Sequence, residues 1–136
     1  MLGEERTAQS TIKARILLLV SDRLVRSVMQ EILERDGYAV FPASDVGGAT
    51  ALLKDISPDL LVTRIFVSGM TGHEAAKYLR NHCMHMRVLM VGGLLDDDRL
   101  RYREALQGFE VFPKPYSAAE LLEKVKEVLR PVPATT

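Results

Sequence analysis

The chain reads as an α/β domain in which a parallel sheet is covered by helices on both faces. Two observations predict this. Short apolar runs bounded by turn residues recur along the chain, among them Ile16-Leu17-Leu18-Leu19-Val20 and Leu60-Leu61-Val62, as strands buried on both faces require. Between them the apolar spacing turns helical, as in Leu24, Val25, Val28, Met29, Ile32 and Leu33.

Taken in order, residues 1–13 are expected to form a flexible arm and Ala14–Val20 the first strand. Asp36-Gly37 stops the helix that carries Leu24 to Leu33. Tyr38–Pro42 is the second strand, and Ala49, Leu52 and Leu53 mark a short helix after Ser44-Asp45. Leu60–Arg64 is the third strand, followed by a helix over Gly72–Asn81 with Ala75, Ala76 and Leu79 inward. Val88–Val91 is the fourth strand, Asp97–Gln107 a polar helix and Glu110–Phe112 a short fifth strand. Ser117, with Glu120 three residues on, reads as the capping box of a last helix. The domain is thus expected over residues 14–130, with 131–136 a proline-containing tail or the stump of a linker.

Composition removes several function classes. The 18 basic residues balance the 18 acidic ones and are scattered, and there is no Trp. Nothing therefore points to a nucleic-acid partner. The run Ile16–Val20 is far too short to span a bilayer, and Met1–Lys13 lacks the apolar core of a secretory signal. A cytoplasmic protein with no membrane partner is expected. The single cysteine, Cys83, excludes an internal disulfide and reads as a small buried hydrophobe.

In open α/β sheets the ligand crevice lies just outside the carboxyl ends of the strands. Four places meet there: Ser21-Asp22 after the first strand, Arg64 ending the third, Gly92-Gly93 after the fourth and Lys114-Pro115 after the fifth. Arg64 is a permanent cation, so it is neither a nucleophile nor a metal ligand. His73, His82 and His85 form no convincing metal set and are expected at the solvated surface. Asp96-Asp97-Asp98 reads as helix capping.

The same residues carry a resemblance. Ile16–Asp22 followed by Leu24-Val25-Arg26, Glu31–Glu34 with Gly37-Tyr38, Pro58-Asp59-Leu60 with Gly69–Gly72, and Pro113–Tyr116 with Ala119-Glu120-Leu121 stand in order at matching spacings. From Arg15 to Arg130 the chain resembles the receiver domain of two-component response regulators, a chemotaxis-regulator-like family. The resemblance implies a flavodoxin-like, three-layer α/β/α sandwich with a five-stranded parallel sheet in the order 2-1-3-4-5.

It also implies a chemistry: phosphoryl transfer from a phosphohistidine to an aspartate ending the third strand. Two acids after the first strand hold Mg²⁺, and a hydroxyl and a lysine bind the phosphoryl oxygens. Carried across, Asp22 and Lys114 remain. The first acidic position falls on Ser21, the nucleophile on Arg64, the hydroxyl on Gly92 and the aromatic switch on Val111.

The expectation is a degenerate receiver, or pseudo-receiver, in bacterial signalling. It is not an enzyme, its Mg²⁺ binding is lost or weak, and it has no other cofactor. It acts on a protein partner or as a homodimer through the fourth-helix, fifth-strand, fifth-helix face. Asp22 is expected to neutralise Arg64 and Lys114 in an ion-pair cluster that replaces the metal. The rival readings are an atypical phosphorelay response regulator and a receiver that senses an anion or small ligand.

Overall fold

The computed structural model describes residues 12–67, 69–91, 110–112 and 118–130. Apolar runs that are buried on both sides can only sit in the middle layer, and they do. Strands β1 (Arg15–Leu19), β2 (Ala39–Ala43), β3 (Leu60–Arg64), β6 (Arg87–Val91) and β7 (Glu110–Phe112) form one sheet in the order β2-β1-β3-β6-β7. Every neighbouring pair is parallel. Helices α1 (Arg23–Arg35), α2 (Val46–Leu52), α3 (Gly72–Arg80) and α4 (Ala118–Leu129) supply the covers.

The strand period of two splits each run between two cores. Ile16, Leu18, Leu60, Val62 and Leu89 pack with Met29 and Leu33 of α1 and Leu121 and Val125 of α4. Leu17, Leu19, Leu61 and Met90 pack on the other face with Ala49 of α2 and Ala75, Ala76 and Leu79 of α3. Cys83 belongs to this second core and is buried, as its sequence context suggests.

Helix ends follow from local chemistry. Asp22, Asp45 and Thr71 each precede a helix and accept a hydrogen bond from a backbone N–H of its first turn, at 3.0, 2.8 and 3.1 Å. Glu74 completes a capping box by accepting the Thr71 N–H at 3.0 Å. Gly37, at φ 100°, ends α1 in the left-handed region that only glycine enters cheaply. The stretch after β3, a Gly-punctuated segment in the sequence, contains a small antiparallel pair, β4 (Phe66–Val67) with β5 (Met70–Thr71).

The arm ends earlier than its polarity suggests. Lys13 donates its backbone N–H to Gly37 O at 3.0 Å, pairs with Asp36 at 2.9 Å and lies 5.4 Å from the centre of the Tyr38 ring. Lys13 thus belongs to the domain. The hydrogen bond to Asp36 raises the Lys13 pKa, and burial raises that of the Tyr38 phenol.

Both shifts favour the protonated side chain in the folded state. Their contribution is complete below the unfolded-state values and is lost as pH rises through the folded ones. Stability from this corner should therefore be flat from about pH 6 to 9 and fall above about pH 10. Urea melts of wild type and Lys13→Gln across that range check it: the variant should lose part of the alkaline decline.

Candidate functional site

Parallel pairing sets Leu19 of β1 beside Thr63 of β3, so the residues that follow both strands emerge together. Val20, Ser21, Asp22, Arg64, Ile65 and Phe66 line a crevice of about 220 Å³ at this carboxyl edge. Three of the residues singled out in the sequence, Ser21, Asp22 and Arg64, are brought together there. Ser21 and Asp22 are exposed and Arg64 is half-buried. Val111 is placed by its backbone in β7, opposite Met90. Gly92 and Lys114 lie outside the described residues, as do Asp96–Asp98, Ser117 and the expected helix at 97–107.

The expected Asp22–Arg64 ion pair is not formed: among the described residues no salt bridge joins them. The cause is local. Asp22 is the cap of α1, and its Oδ1 accepts the Val25 N–H at 3.0 Å. A fixed backbone donor three residues away orders one short side chain, whereas an ion pair would also have to order the long arginine.

Removing the carboxylate should then cost what a helix cap costs. Asp22→Ala is expected to destabilise the fold by about 1 kcal/mol, and Asp22→Ser to recover most of that. The loss should add to that of Arg64→Ala within about 0.5 kcal/mol in a double-mutant cycle of denaturant melts. A larger coupling would mean that the two side chains interact.

Sequence reading missed Arg26. Its Nη1 donates to Val20 O at 2.8 Å and to Ser21 O at 3.3 Å, tying α1 to the turn that carries Asp22. A cation one turn into a helix that follows a strand is the only signal, and it is a faint one. The expected surface histidines divide: His82 and His85 are exposed, but His73, in α3, is half-buried.

Mg²⁺ at such an edge is held through carboxylates and substrate phosphate in octahedral geometry. The described crevice offers one carboxylate, whose Oδ1 already caps α1, and Arg64 lines the same space. That set, among the described residues, is one carboxylate short of the pair that the resemblance implies for Mg²⁺. Among the described residues, no group of three or more His, Cys, Asp or Glu is placed to hold a metal.

A five-strand parallel sheet with a crevice at its carboxyl edge defines a flavodoxin-like α/β protein. The family model of the response regulator receiver domain matches residues 16–126, and the chain belongs to that family. It is 31% identical over 116 residues to the transcriptional regulatory protein CpxR of Klebsiella pneumoniae, covering 85% of this chain and 49% of that one. The chain thus spans about half the length of this relative.

It is also 25% identical over 114 residues to sporulation initiation phosphotransferase F of Bacillus subtilis, covering 83% of this chain and 92% of that one. Among solved structures, a CheY-like receiver domain protein from Methanospirillum hungatei matches with a TM-score of 0.69 at 28% identity, covering 85% of this chain and 92% of the other. Vibrio cholerae CheY4 matches in fold with a TM-score of 0.71 at 22% identity, over 85% and 98% of the two chains. The α/β fold expected from the resemblance therefore agrees with its structural relatives.

Proposed function

We propose that this receiver domain of two-component signalling is a pseudo-receiver: it transmits by contact with a protein partner and accepts no phosphoryl group. The observation that carries the reading is Arg64, the last residue of β3, lining the carboxyl-edge crevice beside Ser21 and Asp22. A guanidinium has no lone pair to attack phosphorus, and it repels the Mg²⁺ that would neutralise the transferring oxygens. Asp22 faces the same space, but its oxygen serves the α1 backbone. By this reading Mg²⁺ binds weakly or not at all, and Lys114, Gly92 and Val111 are remnants of the older chemistry.

The partner is a protein of a bacterial signalling pathway or a second copy of the chain. The resemblance assigns contact to the face of segment 97–107, β7 and α4. The described surface also carries exposed apolar side chains: Leu24 is 73% exposed and Val28 50% on successive turns of α1, and Phe66, which lines the crevice, is 40% exposed. Protein contacts favour such surface. The anion-sensing alternative is disfavoured at this edge, because Asp22 occupies the α1 N-terminus an anion would seek.

Incubation with acetyl phosphate and Mg²⁺, followed by intact-mass measurement, tests the reading. No gain of one phosphoryl group is expected under conditions that modify an ordinary receiver. A stable gain mapped to any crevice residue would overturn it.

A further inference from the structure

At the opposite, amino edge of the sheet lies a second cavity, of about 700 Å³. Lys13, Arg87, and Lys126 with Arg130 line it from three separate stretches of chain, with Tyr38 and Leu129 as its apolar wall. The volume is in the range of small-molecule sites. The charge is unusual for this chain, whose formal net charge is zero. Four cations line the space against one acid, Asp59. Counting also Asp36, which pairs with Lys13, two positive charges remain in excess.

The acids are already committed. Asp59 Oδ2 accepts the Arg15 N–H at 2.9 Å, and Asp36 holds Lys13 at 2.9 Å. Arg87 is fixed by donating Nη1 to Val128 O at 2.8 Å and Arg130 O at 2.6 Å, which clasps the end of α4 to the start of β6. That bond satisfies carbonyls at a helix end and holds the guanidinium at the pocket. Lys126 and Arg130 form no ion pair with a described residue. The α4 dipole accounts for their tolerance near the helix end, but not for their meeting Lys13 and Arg87 around one concave space.

We infer that this pocket binds a small organic phosphate, with the dianionic phosphate held between Arg87, Lys126 and Arg130 and the organic part against Tyr38 and Leu129. An excess of two charges matches a phosphate monoester. A volume well beyond that of inorganic phosphate leaves room for the group it carries. Guanidinium and ammonium donors are the side chains suited to phosphate oxygens. The site is remote from Arg64 and stands whether or not the carboxyl edge accepts phosphate.

Calorimetric titration of the full chain with adenosine monophosphate, glucose 6-phosphate and inorganic phosphate, together with amide NMR mapping, tests the inference. At least one organic phosphate should bind with a Kd below about 1 mM and more tightly than inorganic phosphate. Amide shifts should cluster at Ala14, Tyr38, Arg87 and Leu129. Lys126→Gln with Arg130→Gln should weaken binding about tenfold or more while leaving the thermal melt in place, because both side chains are exposed. No saturable binding by any of the three would overturn the inference. So would shifts confined to Ser21, Asp22 and Arg64, or a double variant that binds as wild type does.

Discussion

Gly72→Ala is expected to destabilise the fold by about 2–3 kcal/mol, more than its helical position suggests. Gly72 is the first residue of α3 and is buried, and its N–H donates to Ile65 O at 2.6 Å. A Cβ there would collide with the carbonyl oxygen of Arg64 and would also crowd Ile65 O at 3.4 Å. Both are backbone atoms, so no rotamer change can relieve the clash. Either α3 lifts away from the sheet or the end of β3 shifts, and with it the crevice.

The gain in helix propensity from alanine, at most about 1 kcal/mol, works in the opposite direction and is too small to offset the collision. Gly47 supplies the control. It is exposed in the first turn of α2, and the nearest contact of its added Cβ is Asp45 Oδ1 at an ordinary 3.6 Å. Gly47→Ala should be neutral or stabilising. Urea denaturation of the two variants decides the matter: equal midpoints would mean that Gly72 does not set the spacing between α3 and β3.

The crevice was legible in the sequence to the extent that strand ends were. Leu60–Arg64 could be bounded because an apolar run ends in a charge, and that alone places Arg64 at the carboxyl edge. The pairing of Asp22 was not legible. An acid between a strand and a helix can serve a neighbouring cation or the helix itself, and spacing is the same in both cases. Geometry decides for the backbone N–H of Val25.

The pair β4 and β5 escaped because two-residue strands carry no period. The Thr71–Glu74 box was visible as Thr-x-x-Glu but stood among glycines that read as a loop. The amino-edge cavity could not be seen at all. Lys13, Arg87 and the Lys126 and Arg130 pair lie far apart along the chain, and each alone is an ordinary surface charge. Only the parallel topology collects strand starts and the end of the last helix at one edge.

Arg64→Asp should create a Mg²⁺ site where the wild-type chain is expected to have none. The substitution changes the charge of the crevice by two units and places a second carboxylate across from Asp22, which lines the same space. Two carboxylates with water completing an octahedron are a sufficient, weak set for this ion. Without metal the two acids repel, so the variant should melt below wild type in EDTA.

Added Mg²⁺ should restore stability by mass action, by about 1.4 kcal/mol at ten times its Kd. Affinity should be low-millimolar at best, because Asp22 must share or give up its bond to Val25 N–H to reach the ion. Thermal melts with and without Mg²⁺, beside calorimetric titration, read both effects. Wild type should be insensitive and the variant saturable. If wild type responds to Mg²⁺ as strongly as the variant, the guanidinium does not occupy the crevice and the pseudo-receiver reading loses its basis. If neither responds, Asp22 keeps its bond to the Val25 N–H, and the two carboxylates form no joint site.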